Sequence, residues 1–444
     1  MSAGQNKTSR IPTHRISRLA GFGKLGTKIA ARSLFEGARK LSQGELPSPA
    51  ELLMTPQNVS GITDELARMR GAALKLGQLI SMDAGEFMPR ELAEMMTRLR
   101  AGADFMPASQ LNKVLSEEWG KDWQAQFAEF DMTPIAAASI GQVHRATLLD
   151  GSELAIKVQY PGVAQSIDSD IENVVSLFRM TGFAPSSQTL EPLIAEAKKQ
   201  LHEVCDYRQE ARYVNLFSQN LSGKTGFVLP TIHSELTTDK VLAMSFVPGR
   251  SIETAETQDQ DVRSSIFERL AGLALEEFFE FGLIQSDPNF GNYTYDAKSG
   301  NIGLLDFGAA REVDQETIKL YRQLLKAGLD GDRKKLKALS LQLSFYSEKT
   351  DMRHRQMIDR IVVYVFGAIR RDSHFNFASE TLLEDVRSIG MELATDKSFN
   401  DVPSADFMFL QRKAVGLYLL GRRLGATIPL RDMLETFVCD PVTQ

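Results

Sequence analysis

Gln285-Ser286-Asp287-Pro288-Asn289-Phe290-Gly291-Asn292 is followed, after the segments Tyr293 to Tyr295 and Ile302 to Leu305, by Asp306-Phe307-Gly308. The first stretch sets a carboxylate five residues before an amide, close enough for one loop to aim both at a metal-phosphate centre. Asp287 can accept a proton or orient a nucleophile, and Asn292 can bind Mg²⁺. Taken alone, the same loop suits a turn whose Asp and Asn cap local backbone. The second stretch puts a carboxylate at the end of an apolar strand, followed by a glycine, which suits a Mg²⁺ ligand. Asp306 follows Asn292 by fourteen residues, room for one tight strand pair joined by a Lys-Ser-Gly-Asn turn.

Further towards the N-terminus, Leu154-Ala155-Ile156-Lys157 reads as an apolar strand ending in a lysine that can hold phosphate oxygens as a point charge. Ala146 to Leu149, Asp150-Gly151 and Glu153 to Val158 read as strand, turn and strand. Ahead of them lies the loop Ala136-Ala137-Ala138-Ser139-Ile140-Gly141-Gln142-Val143. A phosphate loop of the pattern G-x-G-x-x-G-x-V would stand here. Gly141 and Val143 keep that pattern, and Ala136 and Ala138 replace its first two glycines. Loop, lysine, Asp-x4-Asn and Asp-Phe-Gly follow one another in the order of a protein kinase. The expected fold is therefore α+β: a bilobal protein-kinase-like fold with an N-terminal helical extension. Ala136, Ala137, Ala138, Ser139, Gly141, Val143 and Lys157, with Met244, Phe246 and Val247 at the end of a later strand, are the nucleotide-binding candidates. The acid that pairs with Lys157 is expected at Glu210, with Glu203 second. The long separation from Lys157 predicts an insertion between residues 160 and 195.

The rest of the chain frames this core. Its 444 residues are 43% hydrophobic and 24% charged, ordinary for a globular protein of two domains or one large bilobal one. Two cysteines without metal-ligand spacing exclude a disulfide framework and make a reducing compartment the default. A net charge of −6 argues against a nucleic-acid binder. Residues 1–40 are strongly basic, which suits anionic lipid headgroups and equally a solvated tail. No stretch reaches the roughly 18 apolar residues needed to span a bilayer. Gly21-x-Gly23-x-x-Gly26 matches a dinucleotide fingerprint, but no strand precedes it. Helical patterns are expected over Ile62 to Leu99, over Pro107 to Trp119, as one long helix over Leu190 to Phe217, and through most of the chain after Asp261. The organisation expected is a basic arm (1–45), a helical extension (46–124), a β-rich lobe with a helical insertion (125–248) and a mainly helical lobe (249–444).

Four segments resemble the ABC1, UbiB or COQ8 family of AarF-domain-containing atypical kinases. Lys75-Leu76-Gly77-Gln78 matches that family's K-x-G-Q signature, and Ala136 to His144 matches its alanine-rich loop. Lys157-Val158-Gln159-Tyr160-Pro161-Gly162-Val163 looks like its lysine strand, and Cys205-Asp206-Tyr207-Arg208-Gln209-Glu210-Ala211 its C-D-Y-x-x-E-A helix. The resemblance implies that Lys157 and Glu210 form the ion pair that positions phosphates. It makes Asp287 the catalytic-loop aspartate and Asn292 and Asp306 the Mg²⁺ ligands. Lys75 and Gln78 would fold over the cleft where a protein kinase admits a peptide, and the alanine loop would alter nucleotide preference. Two departures stand out. The family's E-x-D pair keeps Asp206, but Glu203 lies three residues before it rather than two. The usual H-A-D-P-H-P-G-N loop has Gln285 and Asn289 where histidines stand. The C-terminal membrane spans of some bacterial members have no counterpart.

The function this implies is that of an ATP- and Mg²⁺-binding enzyme, an ATPase or small-molecule kinase, supporting ubiquinone biosynthesis. The partners implied are ATP or ADP, quinone-precursor lipids, an anionic membrane surface and other ubiquinone-biosynthesis proteins. The expected location is the cytoplasm, at the inner-membrane surface. Met69, Leu76, Leu79, Ile80 and Met82 suit a quinone-like tail or simple packing on the core. The alternative is a nucleotide-gated pseudokinase or lipid-binding module without phosphoryl transfer, favoured by the alanines and the missing histidines. An ordinary protein kinase is disfavoured, because no peptide-docking motif follows Arg311.

Overall fold

The structure, a computed structural model, describes residues 105–138, 140–181, 187–379, 381–396, 398–399 and 405–438, with isolated positions at 27, 31, 32, 35, 39, 40, 42, 43 and 58. Lys75, Gln78, Ser139 and the helical pattern at 62–99 lie outside the described residues. The chain divides into two compact units, Met1–Asn215 with Pro230–Phe246, and Leu216–Leu229 with Val247–Gln444.

In the first unit, helix α1 (Ala108–Trp119) starts directly after Pro107, whose carbonyl accepts the amides of Gln110 and Leu111. It ends at Gly120, where φ is 88°. Its buried stripe, Leu111, Val114 and Leu115, has helical spacing and joins the core. Strands β1 (Phe127–Phe130), β2 (Ala136–Ala137), β3 (Gly141–Leu148) and β4 (Glu153–Gln159) follow. The sheet is antiparallel in the order β1-β3-β4-β6, with β6 at Val241–Ser245 and β2 pairing β3. Gly151 takes a φ of 89° at the turn of the β3–β4 hairpin, a backbone setting that glycine adopts freely. The alanine-rich segment expected as a loop is itself a tight hairpin, with Ala136 opposite Val143 and Ala137 opposite Gln142.

Where an insertion is expected between residues 160 and 195, the chain forms helices α2 (Val163–Thr181) and α3 (Ser187–Val204), the second running past that range. The single helix expected from Leu190 to Phe217 is two, because the chain breaks at Cys205-Asp206 before α4 (Tyr207–Asn220). Asp206 causes the break: its Oδ1 accepts the Gln209 amide at 2.9 Å, an N-cap geometry that restarts the helix. Leu154, Ile156 and Val158 of β4, Val241 to Met244 of β6, and Tyr207 and Ala211 of α4 share one core. Each such aliphatic residue stabilises the fold by about 1.5–3 kcal/mol on burial.

A polar chain runs through this core. The Met106 amide donates to Gln142 Oε1 at 2.9 Å, and Gln142 Nε2 lies 2.8 Å from His144 Nε2. His144 Nδ1 lies 2.8 Å from the Asp131 carbonyl, which can only accept. Nδ1 therefore carries the proton and Nε2 accepts from Gln142, so the buried imidazole is neutral.

In the second unit, β5 (Phe227–Val228), β7 (Arg250–Ser251), β9 (Tyr293–Asp296) and β10 (Asn301–Leu304) form a sheet in the order β5-β10-β9-β7. Helix α5 (Gln260–Phe279) leads into β8 (Leu283–Gln285), which pairs with β11 (Ala310–Glu312). Helices α6 (Gln315–Asp330), α7 (Arg333–Gln342) and α8 (Met352–Arg371) pack around Leu324, Leu336, Leu339 and Phe345. Asp314 and Asp332 cap the first two, and Gly331, with φ of 75°, ends α6. The chain continues through β12 (Phe375–Asn376), α9 (Leu382–Thr395), α10 (Ala405–Leu424), β13 (Thr427–Ile428) and α11 (Leu430–Glu435).

Candidate functional site

Strand β4 sits between β3 and β6, and Lys157 lies on it opposite Val143 on one side and Leu242 on the other. Lys157 is 4% exposed and Glu210 of α4 is 1% exposed. Lys157 Nζ donates to both carboxylate oxygens, to Oε1 at 2.9 Å and to Oε2 at 3.0 Å. The ammonium also lies 5.3 Å from the centre of the Tyr207 ring. Gln159, two residues along the same strand, donates to the carbonyls of Cys205 at 2.7 Å and Asp239 at 3.1 Å, which ties the start of α4 to the sheet. Gly141 is required by a close approach. A Cβ there would lie 2.2 Å from the Val158 carbonyl oxygen and 3.1 Å from Tyr207 Oη. Of the other nucleotide-binding candidates in this unit, Ala136 and Ala137 are exposed and Ala138 half-buried. Met244 pairs with Ala155 across β4 and β6, and the Phe246 ring carries the Arg145 guanidinium at 4.6 Å. Burial pushes the Cys205 thiol up to about 12, which disfavours the reactive thiolate.

The second unit holds Asp287, Asn292 and Asp306. At the open end of the β9–β10 hairpin Tyr293 stands opposite Leu304, so Asn292 and Leu305 leave it side by side. The Leu305 amide donates to the Asn292 carbonyl at 3.0 Å, which brings Asp306 next to Asn292 along the chain ends. Asn292 Nδ2 donates to the Asp287 carbonyl at 3.4 Å, leaving the amide oxygen as the atom suited to ligate. Asp287 and Asn292 are both buried. Asp306 Oδ1 accepts the Gly308 amide at 3.0 Å, and Phe307 is buried against Phe217 with ring centres 4.8 Å apart. Val247 packs where Gly303 leaves room for it. Among the described residues no group of three or more His, Cys, Asp or Glu side chains is arranged to hold a metal. One carboxylate and one amide oxygen fit Mg²⁺, which keeps several waters and takes its remaining ligands from substrate phosphates.

Residues 98–340 match the ABC1 atypical kinase-like domain. The chain is 36% identical over 428 residues to the mitochondrial atypical kinase COQ8 of Saccharomyces cerevisiae, covering 95% of this chain and 84% of that protein. This chain belongs to the ABC1 atypical kinase-like family. The mitochondrial atypical kinase COQ8B of Rattus norvegicus is 35% identical over 436 residues, covering 97% of this chain and 82% of that protein. Among solved structures, the Rv3197 protein of Mycobacterium tuberculosis, determined with erythromycin, shares the fold with a TM-score of 0.58 at 21% identity. That match covers 86% of this chain and 96% of the other. The mixed helix-and-sheet, kinase-like architecture expected from the motifs is thus the architecture of this ABC1 chain.

Within this ABC1 chain the remaining candidates are placed differently. Asp206, the acid at the E-x-D position, is exposed and caps α4. Glu203 lies 4.0 Å from Lys199, one turn back on α3. Sequence reasoning assigns no role to Gln285 or Ser286, yet both hold the loop. Gln285 Nε2 donates to the Asp306 carbonyl at 3.2 Å, joining the Asp287 loop to Asp-Phe-Gly. The Ser286 hydroxyl donates to the Ala309 carbonyl at 2.8 Å. The replacement of the loop's first histidine by Gln285 was the available signal, because both side chains offer an N–H donor at that point.

Among the described residues no helix is long and apolar enough to cross a membrane.

Proposed function

We propose that this protein is an ATP- and Mg²⁺-dependent enzyme, an ATPase or small-molecule phosphotransferase, that supports ubiquinone biosynthesis at a membrane surface. The observation that carries this reading is the buried, two-pronged contact of Lys157 with Glu210. A buried ion pair contributes little net stability, because desolvation offsets most of its attraction. Its use here is to fix one ammonium where phosphate oxygens can meet it. Asn292 and Asp306 would hold Mg²⁺, which would supply positive charge to neutralise phosphate oxygens. Asp287 would accept the proton of the attacking hydroxyl or orient a water. The resemblance to COQ8 proteins supports the link to quinone precursors, and the basic arm at 1–40 supports a peripheral place on an anionic bilayer.

The second reading, a nucleotide-gated module without turnover, is favoured by Ala136, whose Cβ stands on a hairpin where glycine would let phosphates approach the backbone. Mg²⁺-dependent nucleotide binding and ATP turnover separate the two. They are measured with and without anionic liposomes and a small phenolic quinone-precursor mimic, for wild type and Asp287→Asn. Turnover that rises with lipid or phenol and collapses in the variant supports the enzyme. Tight binding with no turnover under any condition sinks it and leaves the module.

A further inference from the structure

Helix α10, far along the chain from every motif, places a lysine inside the second unit. Lys413 is 4% exposed. Its Nζ donates to Glu277 Oε2 at 3.1 Å and to Tyr293 Oη at 3.3 Å. Glu277 and Tyr293 are themselves buried. The same Glu277 oxygen accepts the backbone amide of Gln285 at 3.2 Å. Gln285 ends β8, just before the Asp287 loop, and Tyr293 opens β9, just after Asn292. One buried cation therefore holds both ends of the segment 286–292, the first through Glu277 and the second directly.

The middle of the segment meets the same helix face. Gly416 lies three residues after Lys413, so the two share a face. A Cβ on Gly416 would lie 1.9 Å from Pro288 Cβ and 3.3 Å from Pro288 Cα. Only a glycine lets the loop seat this closely on α10. Burial pushes the Glu277 carboxyl and the Tyr293 phenol up, with Lys413 opposing both. Burial opposes charge on Lys413 as well, but Glu277 and Tyr293 outweigh it and the ammonium persists.

A buried ion pair of this kind contributes little net stability to the fold. An apolar residue of similar length would pack the site without a desolvation cost. We propose that Lys413, with Glu277 and Gly416, is a positioning residue for Asp287 and Asn292, clamping both ends of their loop and seating its middle on α10. This rests on the functional reading above for the roles of Asp287 and Asn292, but the clamp itself is a statement about the loop.

The test uses the full chain. Lys413→Met alone leaves Glu277 buried without its cation and risks misfolding, so Glu277→Gln/Lys413→Met, which removes both charges, is made beside it. Hydrogen exchange is followed at the Gln285, Gly291 and Asn292 amides, with β3 and β4 amides as internal reference. ATP turnover is followed over ATP and Mg²⁺. Loop amides in the double variant should exchange faster while the reference amides hold. Turnover should fall by about 100-fold, as expected for a small misplacement of catalytic groups, with the KM for ATP little changed. Unchanged loop exchange in the folded double variant overturns the clamp, whatever the activity. Accelerated exchange everywhere also overturns it, since that is a general loss of stability. If the wild type itself does not turn over ATP, the enzyme reading fails while the exchange result still decides the clamp.

Discussion

Lys157 Nζ lies within 3.0 Å of both oxygens of Glu210, 53 residues away in sequence, and neither side chain is open to water. Removing one partner leaves the other charge buried. Lys157→Met should therefore destabilise the first unit by about 3–5 kcal/mol in thermal or urea unfolding. Lys157→Met/Glu210→Leu should recover much of that stability without recovering nucleotide binding. Recovery of both would show the pair to be structural only.

Gln285 joins the Asp287 loop to the Asp306 carbonyl. Gln285→Ala removes the hydrogen bond to that half-buried carbonyl, at a cost of about 0.5–1.5 kcal/mol. It should also raise the Mg²⁺ concentration needed for nucleotide binding by about tenfold or more, as loss of a supporting hydrogen bond does at metal sites. Gln285→His retains a donor and should stay close to wild type. A Mg²⁺ titration of nucleotide binding for both variants checks this, and equal effects would refute the donor role.

Asp206 caps α4 through the Gln209 amide. Asp206→Ala should cost about 0.5–2 kcal/mol, and Asp206→Ser should restore most of it. If capping is its whole role, the Mg²⁺ requirement will be the same in Asp206→Ala as in wild type. A raised Mg²⁺ requirement at unchanged stability would instead make it a metal-side acid.

His144 is held below its ordinary value of 6.5, chiefly by burial, with the Asp131 carbonyl and the Asp131 charge acting the other way. As pH falls below about 6.5, the unfolded chain takes up this proton first, and folding loses up to about 1.4 kcal/mol per pH unit until the folded ring also protonates. Urea unfolding between pH 5 and 8 should show that slope in wild type, on the acid side only. His144→Gln should start less stable and show a shallower slope. Parallel slopes would assign the acid sensitivity to other groups.

The placement of Lys157, Asp287, Asn292 and Asp306 on strand, loop and hairpin was legible because each sits on a short local segment. Asp287 and Asn292 share one loop, and Asn292 and Asp306 flank one hairpin whose length is set by the alternation of Tyr293 to Tyr295 and Ile302 to Leu305. Lys157 ends an apolar run after an Asp-Gly turn, and Gly151 takes the left-handed backbone that this dipeptide favours. Spacing along the chain is enough for such features, since strand and turn geometry act within a few residues. The break at Cys205-Asp206 escaped the reading because the apolar period runs on through it, and a cap is decided by one side chain rather than by a pattern. The alanine segment escaped as a hairpin because alanine has no strong preference for strand, and pairing with Val143 and Gln142 decides its state.

Taken alone, the sequence determined the order of the motifs and the fold class, because both follow from local spacing and residue chemistry. Tertiary structure alone decided how those residues are held. Lys413 meets Glu277 across 136 residues, and Gly416 meets Pro288, with no local pattern announcing either contact. Such contacts form only when α10 is packed against the loop, because burial, which makes an ammonium seek its partners and a missing Cβ matter, exists only in the folded chain.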